Sequence, residues 1–185
     1  MLAAGVATWR VWLSQGGVMP SAMAGHSLGE YTALVCAGAM SFVDGVNLVR
    51  LRGEYMQEAV PAGAGAMAAV LGLSDELIAS SCDQAGQGQV VSPVNFNCPG
   101  QVVIAGEKAA VERAQVACKE AGAKRVVPLP VSVPSHCALM KPAAEKLAAA
   151  LANVPVIMPE IPVIQNVSAG VASDVDQLKT NLVEQ

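Results

Sequence analysis

Residues 25–29 read Gly25-His26-Ser27-Leu28-Gly29, set between a short apolar run, Ala22-Met23-Ala24, and a stretch of helical character from Leu28 to Gly38. That order demands a buried strand, a sharp turn and a helix. Glycines are expected on both sides of the serine because such a turn leaves no room for Cβ atoms. The turn lifts the serine oxygen above the sheet edge. It also puts the Leu28 amide at a helix N-terminus, where it can donate to a developing oxyanion. The same pentapeptide can be an ordinary strand–helix turn, so its chemistry depends on partners elsewhere. His26 stands beside a serine that points into a cleft, and it is assigned to packing or substrate lining rather than to the role of base.

The remaining pattern is α/β. The chain has 185 residues, 53% of them hydrophobic and only 3% aromatic, so its apolar mass is Ala, Val and Leu, as in helices packed on parallel strands. Leu2 to Gln15 has helical spacing and stops at Gly16-Gly17. Phe42 to Gln57 is helical, with Ser41 and Asp44 as a capping pair. After the linker Pro61 to Gly65 the pattern changes. Ala66 to Leu73, Val90 to Asn97, Gln101 to Ala105 and Lys124 to Val133 read as strands, the last interrupted by prolines. Asp75 to Ala85, capped by Ser74, and Lys108 to Ala121, stopped by Gly122, read as helices. The order β-α-β-β-α-β predicts a ferredoxin-like subdomain over 62–133. It is inserted into an α/β-hydrolase-like parallel-sheet domain formed by 1–61 and 134–185. That domain resumes with a loop at Pro134, a helix from Leu139 to Asn153 and a strand around Ile161 to Asn166.

Composition excludes some roles. A net charge of −4 without a basic block argues against nucleic acid. No apolar run is long enough for a membrane span. Cys36, Cys82, Cys98, Cys118 and Cys137 form no C-x-x-C pair, and an odd count of cysteines reads as free or buried thiols in a reducing compartment, the cytoplasm. Met1 to Trp9 reads as the start of a helix rather than a signal peptide.

A nucleophilic serine needs a neutral base, and the chain has two histidines. His136 follows Pro134-Ser135 on a loop ahead of a helix and is the candidate base; a loop or capping histidine is the plain alternative. No aspartate stands in a comparable motif, so a backbone carbonyl is left to orient the ring. Arg50 and Arg52 lie on one helix about 200° apart. Arg50 has Glu54 at i+4 and reads as a solvated pair. Arg52 shares its face with Leu48, Val49 and Met56, where a guanidinium is costly unless it meets an anion. A structural salt bridge or bidentate capture of a substrate carboxylate would both satisfy it.

Together these residues resemble the malonyl-CoA:acyl carrier protein transacylase family. The matching strings are Gly25-His26-Ser27-Leu28-Gly29-Glu30-Tyr31, Arg52-Gly53 with Met56-Gln57, Asn95-Phe96-Asn97 with Pro99-Gly100-Gln101, and Val133-Pro134-Ser135-His136. They recur over nearly the whole chain. The resemblance implies a ping-pong transfer in fatty acid biosynthesis. Ser27 attacks malonyl-CoA with His136 as base, Arg52 holds the malonyl carboxylate, and the acyl carrier protein thiol takes the malonyl group. It further implies Leu28, His26, Met56, Asn97 and Ser135 as substrate-binding residues. A main-chain carbonyl, by position that of Gln185, would orient the histidine. No cofactor and no metal are implied, and a full-length member would be a monomer. Members usually begin with a strand and a Gly-Gln-Gly-Ser-Gln loop, and continue into a Gly-Pro-Gly segment. Neither is found here, so the chain reads as truncated at both ends.

Three alternatives stand beside this one. An esterase would share the serine turn but would want an acid between Ser27 and His136 in chain order and would give Arg52 no task. A fragment could bind a partner without catalysis. An acyltransferase module of a multidomain synthase would carry the same motifs. Lys119, Lys124 and Arg125 form a basic cluster that reads either as a solvated turn or as a docking point for an acidic carrier protein.

Overall fold

The computed structural model describes residues 1–131 and 133–185. In chain order the elements are α1 (Leu2–Ser14), β1 (Met23–Ala24), α2 (Leu28–Cys36), α3 (Phe42–Ala59), β2 (Gly65–Leu71) and α4 (Asp75–Gly86). There follow β3 (Val91–Cys98), β4 (Gln101–Glu107), α5 (Lys108–Glu120), β5 (Arg125–Pro128), α6 (Lys141–Ala152), β6 (Val163–Ile164) and α7 (Val175–Glu184). The fold is mixed α/β, with one parallel and one antiparallel sheet. Two compact units divide it: Met1–Tyr55 with Ala144–Gln185, and Met56–Ala143. Among the described residues no helix is long and apolar enough to cross a membrane.

In the first unit β1 and β6 pair in parallel, Met23 opposite Val163 and Ala24 opposite Ile164. Such short strands supply little cohesion, and the helices supply the rest. Tyr31 and Leu34 of α2, Leu48 of α3, Leu151 of α6, and Leu178 and Leu182 of α7 are buried in one cluster. Ser41 caps α3 as the sequence suggests: its hydroxyl accepts from the Asp44 amide (3.0 Å) and donates to the Asp44 carboxylate (2.6 Å). α7 has no counterpart in the sequence reading. Its signals are the cap at Asp174, whose carboxylate accepts from the Gln177 amide (2.8 Å), and the apolar pair Leu178 and Leu182 at i, i+4.

The second unit carries a four-stranded antiparallel sheet in the order β3-β4-β2-β5. The inward residues of β2 and β4 alternate, and Ala68, Val70, Val102 and Ile104 meet Ile78, Cys82, Val111, Ala114 and Cys118 of the two helices. β3 lies at the sheet edge and carries Pro93, where a missing N–H is tolerated; its register shifts between Pro93 and Asn95 and between Phe96 and Cys98.

Two expectations are corrected. The strand expected over 124–133 ends at Pro128, because Pro128 and Pro130 cannot donate to a ladder; Ser132, within that range, lies outside the described residues. The helix expected from Leu139 opens instead as a 3-10 turn, Ala138–Met140, and becomes α6 only at Lys141. Pro142 explains the change. It fits the first turn of an α-helix, where its missing N–H costs nothing, but a helix begun at Leu139 would push its ring toward the interior of the turn.

Candidate active site

β1 ends one residue before Gly25 and α2 starts at Leu28, so the chain reverses over three residues. Ser27 takes up the reversal with φ 52° and ψ −113°. A non-glycine residue there costs on the order of 1–2 kcal/mol, so its neighbours must hold it. Around it the Gly29 amide donates to the His26 carbonyl (2.9 Å) and the Glu30 amide to the Ser27 carbonyl (3.0 Å). The Ser27 amide itself donates to Asn166 Oδ1 at 3.0 Å. A Cβ on Gly25 would stand 2.0 Å from the Gly29 carbonyl carbon, so only glycine fits there. Gly29 does not share this reason: a Cβ there would meet nothing within 4 Å. The expectation that both glycines answer to crowding therefore holds for Gly25 alone. Leu28 supplies the first residue of α2. His26 is exposed, which removes the packing role considered for it.

Arg52 is half-buried on α3 and turns to the serine. Its Nη2 donates to Ser27 Oγ (3.1 Å) and to Gln185 Oε1 (3.1 Å), and its guanidinium carbon lies 5.9 Å from the centre of the Tyr31 ring. Both hydrogen-bond acceptors are neutral oxygens, so neither cancels its charge. Arg50 behaves as expected of a surface residue: Nη1 reaches the Glu54 carboxylate at 2.7 Å, both side chains about half exposed. Burial pushes the Tyr31 phenol up to about 12, against the opposing pull of the Arg52 charge.

Behind the serine lies a polar group that the sequence reading did not assign. Glu30 is fully buried in an otherwise apolar helix face. Its carboxylate accepts from Gln165 Nε2 (3.1 Å), the Asn166 amide (2.8 Å) and Gln185 Nε2 (2.9 Å), and also from Asn166 Nδ2. Asn166 Nδ2 also donates to the Gly25 carbonyl (2.8 Å). Gln165 Oε1 accepts from Asn181 Nδ2 (2.7 Å). A carboxylate three residues after Ser27 on an apolar face was the available signal.

The other expected site residues belong to the second unit. His136 is half-buried on the loop before the 3-10 turn, with φ 64°, and the loop is tied by the Ser135 amide donating to the Val133 carbonyl (3.0 Å). Pro134 and Cys137 are buried on either side of Ser135 and His136, and the Cys137 thiol donates to the Pro134 carbonyl (3.1 Å). Met56 is half-buried in α3, and Asn97 is exposed on the edge strand β3. Lys119, Lys124 and Arg125 are exposed where α5 ends and β5 begins, and the Lys124 stem lies over Gly72.

The family described as "Acyl transferase domain" matches residues 1–184. The chain belongs to this family. Among curated acyl transferases it is 62% identical over 185 residues to the malonyl CoA-acyl carrier protein transacylase of Salmonella typhimurium, covering 100% of this chain and 60% of that protein. It thus spans about 60% of the length of the curated relatives it matches. Among solved structures, an acyl carrier protein S-malonyltransferase from Vibrio cholerae superposes with TM-score 0.96 at 62% identity, over 99% of this chain and 60% of that one. A type II PKS acyl-carrier protein in complex with its malonyl-transacylase gives TM-score 0.98 at 60% identity, over 99% and 59%.

Proposed function

We propose that the chain moves a malonyl group from malonyl-CoA to the phosphopantetheine thiol of acyl carrier protein, in fatty acid biosynthesis. The observation that carries this reading is the Arg52 guanidinium, held 3.1 Å from the oxygen of a strained serine and donating also to the neutral Oε1 of Gln185. A thioester acyl group with a free carboxylate is the substrate such a pair fits.

Ser27 Oγ attacks the thioester carbonyl while His136 takes its proton, and the Leu28 amide donates to the oxyanion. The tetrahedral adduct collapses, the C–S bond breaks, and His136 returns the proton to the CoA sulfur. Malonyl-Ser27 remains. The carrier thiol then attacks it, with His136 again accepting and returning the proton, and Ser27 is released. Bidentate capture of the malonyl carboxylate draws Arg52 off Ser27 Oγ, so substrate binding frees the nucleophile. His26, Met56, Asn97 and Ser135 line the substrate path, and the Gln185 carbonyl orients His136. No cofactor takes part.

The same reading covers the architecture: an α/β-hydrolase-like domain over 1–61 and 134–185 with a ferredoxin-like insert over 62–133. In its support, helices follow the first and third strands of the antiparallel sheet, and its order β3-β4-β2-β5 suits that motif. The protein acts in the cytoplasm as a monomer, and Lys119, Lys124 and Arg125 meet the acidic carrier.

Intact-mass spectrometry after malonyl-CoA treatment tests the reading. A malonyl adduct should form and vanish in Ser27→Ala. Arg52→Ala should lose ~2 to 5 kcal/mol in malonyl-CoA recognition and far less in acetyl-CoA recognition. An adduct that forms as fast without Ser27 as with it, or equal losses for the two acyl groups, overturns it.

A further inference from the structure

We infer that Glu30 is a positioning residue that sets both halves of the acyl site from behind, and this rests on the function proposed above. The geometry allows it two arms. Through Asn166 it fixes the nucleophile: Asn166 gives its amide hydrogens to Glu30 and to the Gly25 carbonyl, which leaves Oδ1 to accept the Ser27 amide. Ser27 is thereby held at φ 52° from the strand side. Through Gln185 it fixes the substrate arginine: the Gln185 NH2 is committed to Glu30, so the only face left for Arg52 is Oε1. A primary amide is symmetric enough to flip. An acceptor that can only accept removes that freedom at both positions. The guanidinium is consequently steadied by an uncharged oxygen, while the balancing negative charge stays one amide away. A carboxylate placed directly on Arg52 would compete with the substrate's own.

Glu30→Met tests this on the 185-residue chain, because it takes away the oxygen that accepts from the NH2 groups of Gln185 and Asn166. Two measurements apply: the side-chain amide resonances of Gln185 and Asn166, and the rate of Ser27 labelling by a fluorophosphonate with malonyl-CoA or acetyl-CoA as protectant. In the parent, both amides should show downfield, exchange-protected protons. In Glu30→Met both should lose them, labelling should slow about tenfold, and malonyl-CoA protection should weaken about tenfold, the size of one lost charge-assisted hydrogen bond. Unchanged resonances with unchanged labelling and protection would leave Glu30 as filling and sink the inference. Should Glu30→Met lose its cooperative melt, Asn166→Ala and Gln185→Met separate the arms. Asn166→Ala should slow labelling more than it weakens protection, and Gln185→Met the reverse; equal losses in both count against two arms. If acetyl-CoA protects the parent as well as malonyl-CoA does, the proposed function falls, and the resonances still report on Glu30.

Discussion

The two units are held together by different means. In the second, seven consecutive residue pairs join β2 to β4 in unbroken antiparallel register, and apolar side chains from α4 and α5 close one face. In the first, the sheet is two residues wide on each strand, and the turn that matters is pinned by side-chain amides around a buried carboxylate. Backbone ladders make a unit that tolerates polar variation at its surface. A turn held by amides keeps a strained serine in place, but each amide is a single point of failure.

The largest expected effect lies in the ladder unit. Ile104 is fully buried, and Ile104→Ala should destabilise that unit by about 2 to 5 kcal/mol. Hydrogen exchange should show the loss in β2 and β4 amides and spare those of α2. A uniform loss over both units would erase the distinction drawn above.

Next comes the turn. Gly25→Ala should cost about 1 to 3 kcal/mol, since the new methyl meets backbone and cannot be moved aside. Gly29→Ala should be neutral or gain up to about 1 kcal/mol in helix propensity. Urea titration of the two variants would settle the asymmetry; similar costs for both would restore crowding as the reason for both glycines.

Alkali should divide the units as well. Burial raises Cys82 from 9.0 to about 12, and Cys118 and Cys137 also upward, all in the second unit. In the first, burial raises Cys36, and Tyr31 from 10.0 to about 12. A buried neutral thiol contributes its full stability below the unfolded value and loses it as pH climbs toward the folded one. Both units should therefore begin to weaken above pH 9, the second more steeply because Cys82, Cys118 and Cys137 lie there against Cys36 alone in the first, where the Tyr31 contribution starts to fade only above pH 10. Melting curves from pH 8 to 11 would show this, and Cys82→Ala should flatten the slope in the second unit alone.

The smallest effect separates two arginines on one helix. Arg50→Ala removes an exposed pair and should cost no more than about 0.5 kcal/mol, with Ser27 labelling unchanged. A larger cost by thermal melting would mean that α3 depends on its outer face as well.

How far the sequence disclosed these features follows from how local their causes are. Every strand and helix of the second unit has a local cause: alternation in β2 and β4, Ser74 as a cap, Pro99-Gly100 at the hairpin. The serine turn was legible too, because its strand, turn and helix adjoin in the chain. Arg52 stood out because a guanidinium on an apolar face needs a partner, although the partners it meets, Ser27 and Gln185, are 25 and 133 residues away. Glu30 and Asn166 went unassigned for the same reason. Their bond joins positions 136 residues apart, and no periodicity or spacing encodes such a meeting. α7 was legible as well, from its cap at Asp174 and its leucines at i, i+4, though the sequence reading did not assign it.

The sorting of the thiols bears on how such a protein coexists with its proposed substrates. Thioesters exchange spontaneously with thiolates, and a solution rich in acyl-CoA slowly acylates whatever cysteines it can reach. Four of the five thiols here are wholly or partly buried, and burial raises all four, which starves them of the reactive form. Cys98, exposed at the β3–β4 turn, is the one left open to such side reaction. Acyl groups that bypass the serine would accumulate at that hairpin, as background that persists after Ser27 is removed.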